Sequence, residues 1–322
     1  MDLTIIIVTW NTKDLLLECL DSVYRCIEDL DFRVVVVDNA SVDGSAEAVR
    51  EHFPQAELIV NEENRGFIKA NNQVLPSVSS KYVALLNSDT KLIKGAMETL
   101  VDFMDQHPRV GMAAPQYLNA DGSKQNSFEN FPGLASELLN KSLLKILFPQ
   151  KYPSKRKTYD TPLAVDSVVG ACMTVRTEAL ERVGYMDEDY FFFLDDTDWS
   201  HRMWQAGYEV FYVPQAQIYH VGGAATKKKI PIQTWIEYYR SMYIFFRKNK
   251  NFCSWLLFRL FRPVKLGINL LATSLFLILT LGTNQRIRDK WRVYFWLCLW
   301  HIRLCPNDMG LQKANKTTKV KK

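Results

Sequence analysis

The sequence predicts an α/β fold with a doubly wound, mostly parallel sheet, followed by an α-helical C-terminal region. In the first half, short β-branched runs alternate with segments of helical spacing, and each run is continuous in its apolar residues. Continuous apolar runs are typical of parallel strands that are covered on both faces. After residue 230 the composition becomes aromatic and basic, which separates the C-terminal region.

The predicted elements of the first half alternate regularly. Leu3–Thr9 is a β-branched strand, and the next segment, 13–27, places Leu16, Leu20 and Val23 on one helical face. The other predicted elements are strands at 32–37, 56–60, 82–86 and 110–114 and helices at 43–53, 66–75 and 94–106. Repeated β-α-β units of this kind place a functional site at the carboxyl ends of the strands.

After residue 118 the pattern is less regular. The predicted elements are a hairpin turn at 119–122, an amphipathic helix at 134–148, a basic loop at 151–157, a strand at 165–175, a short helix from Thr177, an acidic helix after 194, and strands at 208–213 and 217–220. We therefore expect residues 1–230 to form a catalytic domain. Residues 231–322 are expected to form a helical, membrane-associating region with a basic tail.

The C-terminal region contains a segment, 266–285, that carries no charge for twenty residues. A membrane-spanning helix needs about 20 apolar residues. Polar residues interrupt this segment, among them Asn269, Thr273, Ser274 and Thr280. A single crossing would also place the lysine-rich tail outside, against the positive-inside bias. We therefore expect a helical hairpin or helices in the membrane plane, and a helical bundle packed on the domain is the alternative.

Bulk composition limits the functional classes. The 322 residues are 48% hydrophobic, which allows a large core, and the formal charge of +5 is too small to indicate nucleic-acid binding. The basic residues are concentrated at 151–157, 227–229 and 313–322. Six cysteines without a CxxC spacing favour free thiols in a reducing compartment. The start of the chain has no charged leader, so we expect no signal peptide.

The most informative segment is 190–210, YFFFLDDTDWSHRMWQAGYEV. Three carboxylates, Asp195, Asp196 and Asp198, directly follow a run of aromatic residues. Partly desolvated carboxylates that repel one another have a raised pKa in at least one member. A general base near neutral pH is made in this way, so the segment indicates the catalytic end of an enzyme. The alternative is a solvated helix start, where Asp interacts favourably with the helix dipole.

Four polar loops follow predicted strands. They are residues 9–11, 38–45, 64–67 with the asparagines after it, and 87–90. Their carboxylates, amides and glycine suit a sugar nucleotide, which needs an acceptor for a base N–H, donors for hydroxyls and a metal ligand at the diphosphate. Turn chemistry alone explains each loop taken singly. No GxGxxG turn follows the first strand, which argues against a dinucleotide-binding fold and a nicotinamide oxidoreductase.

Six segments form an ordered set along residues 3–223: TIIIVTWNT, VVVVDNASVDGS, NRGFIKANN, LLNSDT, VGACMTVR and FFFLDDTDWSHRMWQAGYEV. In this order they resemble glycosyltransferase family 2, and most closely its bacterial rhamnosyltransferase-like branch. The resemblance implies a GT-A fold and an inverting transfer from a nucleotide-diphospho-sugar.

The resemblance also assigns a nucleotide-sugar site. Asp38 would accept the N3–H of a uracil or thymine, with Thr9 and Asn11 lining the base pocket. The other positions implied to bind the nucleotide sugar are Asn39, Asn64, Gly66, Asn71, Asn87, Gly170 and Ala171. Thymine and uracil present the same N3–H edge, so Asp38 does not separate a dTDP donor from a UDP donor.

A divalent cation, Mg²⁺ or Mn²⁺, is implied as cofactor. Asp89 stands at the last position of the family's DxD-like element and would hold it. Asn87 stands at the first position, so the metal has one fewer charged ligand here and weaker metal dependence is expected. His220 precedes two glycines where related enzymes often carry a histidine near the diphosphate, and a purely structural role is the alternative.

The acidic segment matches the family's Glu-Asp-x-Asp motif, with Asp195 at the Glu position. Asp196 matches the usual base, which removes the acceptor hydroxyl's proton as that oxygen attacks the anomeric carbon. Asp198 is expected to orient its neighbours or to pair with Arg202 one helical turn on. One base and one leaving-group electrophile suffice for inversion, whereas retention through a covalent intermediate would need a nucleophilic carboxylate.

The expected acceptor is a polyprenyl-diphosphate-linked saccharide at the cytoplasmic face of the cell membrane, used in cell-surface polysaccharide synthesis. The favoured donor, by resemblance, is dTDP-rhamnose. A UDP-hexose, UDP-hexosamine or UDP-galactofuranose transferase on the same scaffold is the close alternative. A catalytically silent nucleotide-sugar-binding protein is a further alternative. No nucleic-acid partner is expected.

Overall fold

The computed structural model describes residues 1–139, 144, 146–148, 151–154, 157–222, 232–306 and 309. Residues 227–229 and the basic tail at 313–322 lie outside this set. The chain divides into two compact units. The first comprises Met1–Phe131, Ser154–Glu188 and Asp195–Ala225, and the second comprises Pro132–Pro153, Asp189–Leu194 and Thr226–Lys322. The domain boundary at residue 230 stays a prediction.

The first unit contains a mixed sheet in which nine strands are described. The strands of this unit are β1 Leu3–Thr9, β2 Phe32–Asp38, β3 Glu57–Val60, β4 Tyr82–Asn87, β5 Thr90–Leu92, β6 Val110–Leu118, β7 Phe128–Glu129, β8 Leu163–Ala164, β9 Ser167–Val168, β10 Cys172–Arg176 and β11 Glu209–His220. The spatial order in the mixed sheet is β3-β2-β1-β4-β10-β6-β11-β5, with β8 also paired to β11, and β7 and β9 form a separate two-stranded ribbon.

Strands β1 to β4 are parallel neighbours, and their register defines the edge that carries polar residues. Thr9 lies opposite Asp38, and Val8 lies opposite Asn87. These residues are the last or next-to-last of their strands, so the carboxyl ends of β1, β2 and β4 meet at one edge. The α/β fold class predicted from the sequence is confirmed.

Helices cover this sheet. The helices of the first unit are α1 Lys13–Cys26, α2 Ser45–His52, α3 Phe67–Asn72, α4 Ala96–Gln106, α6 Thr177–Val183 and α7 Asp195–Gln205; Leu75–Ser77 is a 3₁₀ turn. Helix α1 buries Leu16, Leu20 and Val23, as its apolar spacing predicts, in the core cluster that also contains residues of β1. Each fully buried leucine or valine side chain contributes about 1.5–3 kcal/mol relative to exposure. The core is thus built directly beneath the polar edge.

Two predicted strands differ from the structure. The strand predicted at 165–175 is wrong as one element, because Gly170 and Ala171 form a turn between β9 and β10. The strands predicted at 208–213 and 217–220 form one strand, β11, with an irregularity between Val213 and Gln217. Pro214 lies in this irregular stretch and has no N–H to donate to a ladder.

The second unit is helical in its described part. Its helices are α5 Leu134–Leu138, α8 Ile232–Asn249, α9 Phe252–Leu279 and α10 Gln285–Ile302. Ile236, Tyr239, Leu266, Leu297 and Trp300 form its buried core. The single amphipathic helix predicted at 134–148 is wrong, because the backbone of Leu139 is extended and ends α5. The later part of that segment lies partly outside the described residues.

Helix α9 is the one helix among the described residues that is long and apolar enough to cross a membrane by length and composition. Only 11% of its most apolar window is buried. Two basic residues of its first half face the interior of the second unit instead of solvent: Arg262 lies 3.7 Å from the Glu137 carboxylate, and Lys265 donates to the Glu137 carbonyl at 2.7 Å. The helix therefore combines a charged inner side with exposed apolar residues.

Candidate functional site

The loop after β2 contains a buried carboxylate with an unused oxygen. Asp38 is 1% exposed, and its Oδ2 accepts a hydrogen bond from the Ser41 N–H at 3.0 Å. Its Oδ1 is buried and has no hydrogen-bond partner among the described residues. A buried acceptor left unpaired is unfavourable by about 1–3 kcal/mol, and more when it is charged. Asp38 is therefore placed to accept a donor group from a bound molecule.

The loops after β1 and β2 hold each other. The Asn11 N–H donates to the Ser41 hydroxyl at 2.9 Å, and Asn11 Oδ1 accepts from the Val42 N–H at 2.8 Å. Asn11 has a φ of 53°, a left-handed conformation that asparagine tolerates better than most residues. Thr9 Oγ1 lies 2.9 Å from Thr12 Oγ1. These contacts fix the walls around Asp38.

The third polar loop is joined to the second by asparagine side chains. Asn39 Nδ2 donates to the Gly66 carbonyl at 3.2 Å, and Asn64 Oδ1 accepts from the Gly66 N–H at 2.9 Å. Gly66 has a φ of 81°, which favours glycine at this position. Asn71 is fully buried in α3, and its Oδ1 has no partner among the described residues. This loop thus offers a second unused acceptor.

Asp89 and His220 face each other across the pairing of β5 and β11. Asp89 Oδ1 lies 3.4 Å from His220 Nε2, and both side chains are mostly buried. On its other side, His220 Nδ1 lies 3.0 Å from Gln125 Oε1, which fixes the ring orientation. Across the described ranges, no group of three or more His, Cys, Asp or Glu side chains is arranged to hold a metal. The Asp89 carboxylate oxygen and the His220 ring nitrogen therefore converge on each other.

Asp196 begins α7 and is held by three donors. Its Oδ2 accepts from the Gly170 N–H at 3.0 Å, and its Oδ1 accepts from the Thr197 N–H at 2.6 Å and the Thr197 hydroxyl at 3.1 Å. Burial outweighs these hydrogen bonds and raises the pKa of Asp196 to about 6. Burial and the neighbouring charge of Asp196 raise the pKa of Asp195 to about 7. The carboxyl pair can therefore exchange protons near neutral pH.

The third acidic residue of the segment has a different environment. Asp198 is 1% exposed, and its Oδ2 accepts from Arg202 Nε at 2.8 Å. Arg202 Nη1 in turn donates to the Val183 carbonyl at 2.7 Å. This is the pairing one helical turn apart that the sequence predicts. Asp198 stabilises the start of α7, and its carboxylate is engaged in an ion pair.

A continuous set of contacts brings the predicted residues to one edge of the sheet. The Asn87 N–H at the end of β4 donates to the Ala171 carbonyl at 2.9 Å, next to the Gly170 N–H that binds Asp196. Asp89 lies two residues beyond Asn87. Asn87 lies opposite Val8 of β1, and the next residue of β1, Thr9, lies opposite Asp38. The acidic segment, Asp89 and the Asp38 loop therefore belong to the same edge.

Several contacts of this edge are not predicted from the sequence, although Ser88 and Asn72 lie in two of the predicted polar loops. Gln125 positions His220, and the Ser88 hydroxyl lies 3.0 Å from Thr12 Oγ1. Asn72 donates to the Met186 carbonyl at 2.9 Å. Their partners are distant in the chain, so no local motif marks them. Gln125 follows a predicted hairpin turn, which is the only signal that places it near a strand end.

Comparison with known proteins identifies the family of this chain. The family model described as glycosyl transferase family 2 matches residues 4–184, more than half of the chain. The N-acetylglucosaminyl-diphospho-decaprenol L-rhamnosyltransferase of Mycobacterium tuberculosis is 27% identical over 229 residues, which are 66% of this chain and 73% of that protein. The glycosyltransferase GlyA of Streptococcus pneumoniae is 33% identical over 105 residues, 30% of this chain and 14% of that protein.

Solved structures show the same fold. The mannosyltransferase PcManGT of Pyrobaculum calidifontis, solved with GDP-Man and Mn²⁺, superposes with a TM-score of 0.55 at 20% identity, over 93% of this chain and 87% of that chain. GalNAc-T7, solved with UDP, GalNAc and Mn²⁺, gives a TM-score of 0.55 at 16% identity over 77% of this chain, which spans about half (48%) of that chain. The chain therefore belongs to glycosyl transferase family 2 and is a glycosyltransferase with a GT-A fold.

Proposed function

We propose that this glycosyltransferase moves a sugar, with inversion, from a nucleotide-diphospho-sugar to a lipid-linked saccharide used in cell-surface polysaccharide synthesis. The observation that carries the proposal is the contact path from Asp38 through Asn87 to Asp196 along one sheet edge. A nucleotide sugar needs a base acceptor, a diphosphate site and a proton acceptor at such an edge. The name of the mycobacterial relative supports a lipid-linked acceptor.

The unused Oδ1 of Asp38 would accept the N3–H of a pyrimidine base, since it is buried and lacks a partner among the described residues. Asn71 Oδ1 offers a further acceptor for the bound donor. The favoured donor is dTDP-rhamnose, supported by the resemblance and by the relative's name. A UDP-linked hexose, hexosamine or galactofuranose remains the alternative donor, because uracil presents the same edge as thymine.

Asp89 and His220 would hold a divalent cation, Mg²⁺ or Mn²⁺, at the donor diphosphate. Their 3.4 Å approach and burial fit such a site, because Mg²⁺ sites at substrate phosphates commonly use only one or two carboxylates of the protein. The structures of PcManGT and GalNAc-T7 contain Mn²⁺, which supports a divalent ion. When bound, the cation neutralises negative charge on the diphosphate.

In the proposed reaction Asp196 accepts the proton of the acceptor hydroxyl while that oxygen bonds to the anomeric carbon. The bond from this carbon to the diphosphate oxygen breaks, and the nucleoside diphosphate leaves with the bonding electrons. Gly170 and Thr197 keep the Asp196 carboxylate oriented through the three hydrogen bonds described. The charge of ionised Asp196 raises the pKa of Asp195, so Asp195 keeps its proton while Asp196 is ionised.

The proposal is tested by incubating the full chain with dTDP-rhamnose or a UDP-sugar, Mn²⁺ and a synthetic lipid-diphosphate saccharide. The product's anomeric configuration is read by NMR. We expect transfer from one donor with inversion. A product that keeps the donor's configuration would contradict the single-base mechanism. Tight nucleotide-sugar binding with no transfer to any lipid-linked acceptor would favour the silent binding protein instead.

We also propose that the chain associates with the cytoplasmic face of the cell membrane through its second unit. The exposed apolar residues of α9 support this, together with the lipid-linked substrate named for the mycobacterial relative. Flotation of the full chain with liposomes tests the association. Recovery of all protein in the lipid-free fraction would contradict it.

A further inference from the structure

The second unit contains a groove of about 870 Å³ that the sugar-transfer chemistry does not use. It is lined by residues of α8, α9 and α10 and by residues that follow α10. Its volume lies within the range of about 300–1,000 Å³ that is common for small-molecule sites. Trp255, Leu270, Leu271, Ile302 and Leu304 give it apolar walls.

The charged side chains among the described lining residues of this groove are all positive. Arg240, Arg247 and Arg259 line it, and no Asp or Glu is among the described residues that line it. Arg240 is neutralised by Glu237 at 2.7 Å, and exposed Arg247 lies 3.9 Å from Asp189. Arg259 forms no ion pair within the described ranges.

The guanidinium of Arg259 lies 5.6 Å from the centre of the Trp255 ring, which orients it by a cation–π contact. Burial lowers the pKa of His301, which also lines the groove, so the positive charge comes from the arginines. A guanidinium on an aromatic ring keeps its N–H donors available for an anion, and arginine binds phosphate through two parallel hydrogen bonds. The groove therefore favours a phosphate group over a neutral ligand.

Helix α9 also leaves a row of large apolar side chains in solvent. Those most relevant are Leu257, Leu260, Phe261, Val264 and Ile268, which are 41–60% exposed. An apolar row of this size is a typical site for a membrane or another apolar partner. Because the same helix supplies Trp255 and Arg259 to the groove, the groove and the apolar row are parts of one element.

We propose that the groove binds the phosphate headgroup of an anionic glycerophospholipid, while its acyl chains cover the exposed row of α9. A phospholipid carries both groups that this region suits, a phosphate anion for the arginines and hydrocarbon chains for the apolar row. Arg259 and Arg247 hold the headgroup, and Trp255 lies at the level of the headgroups, where tryptophan is enriched in membrane proteins. This site is independent of the proposed sugar transfer.

The test uses the full chain and vesicles of phosphatidylcholine, with or without phosphatidylglycerol. The double variant Arg247→Gln/Arg259→Gln is compared with Arg286→Gln/Arg292→Gln, whose two arginines are exposed on α10 and do not line the groove. Both doubles remove two charges from the second unit. We expect the groove double to lose at least tenfold more affinity for phosphatidylglycerol vesicles than the control double. Circular dichroism and the unfolding temperature check that both remain folded.

Three results would overturn the proposal. Equal loss in the two double variants would mean diffuse attraction to an anionic surface. Equal binding of the wild type to both kinds of vesicle would mean that the headgroup is not recognised. Unchanged vesicle binding by the groove double with a raised KM for a lipid-diphosphate saccharide would assign the groove to the acceptor. Nucleotide-sugar binding, measured on the same samples, reports separately on the transferase site.

Discussion

The backbone N–H of Gly170 donates a hydrogen bond of 3.0 Å to Oδ2 of Asp196. A β-carbon added at Gly170 would lie 3.4 Å from that same oxygen, so a larger residue would crowd the carboxylate. Gly170 belongs to the turn between β9 and β10, and Asp196 belongs to the first turn of α7. The contact therefore fixes the acidic segment against the carboxyl end of the sheet.

The rate of sugar transfer is expected to depend on pH through the carboxyl pair. Protonated Asp196 cannot accept a proton, and burial raises its pKa to about 6, so kcat/KM should fall about tenfold per unit as pH drops below this value. Because the pair titrates as a unit, the fall should begin between pH 6 and 7. A pH–rate profile at saturating Mn²⁺ measures it.

Glu129→Gln is expected to move this acid limb to lower pH, because the mutation removes a negative charge that raises the pKa of Asp196. The matched control is Glu178→Gln, which removes an exposed carboxylate of the same unit. An acid limb that stays in place or moves to higher pH in the Glu129 variant would contradict this charge effect.

Asp38→Asn is expected to weaken binding of UDP or dTDP by about 10- to 100-fold. The Ser41 N–H would hold the amide oxygen, and the amide NH₂ would then meet the N3–H of the base, donor against donor. Hydrogen bonds to charged groups contribute about 1.5–3 kcal/mol. Isothermal titration calorimetry measures the affinity.

The same variant should not destabilise the nucleotide-free protein, because it removes a buried charge. Asp43→Asn, by contrast, is expected to destabilise the nucleotide-free protein. Asp43 accepts hydrogen bonds from the Lys13 N–H at 2.9 Å and the Ser45 N–H at 3.1 Å, so the loss of its carboxylate should lower the free energy of unfolding by about 1 kcal/mol. Nucleotide affinity that survives Asp38→Asn unchanged would remove Asp38 from the base site.

His220→Ala is expected to raise the Mn²⁺ concentration needed for nucleotide-diphosphate binding by about 10- to 100-fold. Gln125→Ala should produce a smaller shift in the same direction, because Gln125 orients the His220 ring without reaching the cation. Electron paramagnetic resonance of Mn²⁺ in the presence of UDP or dTDP measures this without turnover. Identical Mn²⁺ titrations of wild type and both variants would mean that His220 is only structural.

Asp198→Asn is expected to act on stability more than on chemistry. The change leaves Arg202 without its buried charged partner. Breaking a buried ion pair lowers the free energy of unfolding by about 3–5 kcal/mol. Because Arg202 is partly exposed, we expect a loss at the lower end of this range. Urea unfolding measures the loss, and turnover per folded molecule should stay near the wild-type value. A catalytic defect of a thousandfold in a fully folded Asp198 variant would assign it to the chemistry.

Local pattern predicts the parallel half of the fold well. The β-branched runs at Leu3–Thr9 and Phe32–Asp38 are buried on both faces, and that environment alone explains their composition. The turn at Gly170 and Ala171 escapes prediction, because its residues are as apolar as the strands beside it. Its conformation is set by contacts with Asn87 and Asp196, which are distant in the chain.

In the candidate site, too, residues marked by local sequence are predicted and residues whose role depends on distant contacts are not. Asp38, Asp89 and Asp196 are recognisable because polar residues follow strands or begin a helix in an ordered set of motifs. Gln125 is not recognisable, since its role depends on the ring of His220, 95 residues away. The second unit is predicted only in part: its C-terminal helices are expected from composition, whereas the inclusion of Pro132–Pro153 and Asp189–Leu194 depends on non-local packing.

The most direct test of the proposed mechanism compares sugar transfer by the Asp196→Asn variant with transfer by the wild type and by the Glu178→Gln variant. A positioned general base contributes about 10²–10⁴-fold, so kcat should fall by at least a hundredfold while the affinity for the nucleotide sugar changes by less than about threefold. Turnover at the wild-type rate in the folded Asp196 variant would contradict the central claim that this carboxylate, held at the sheet edge, accepts the acceptor's proton.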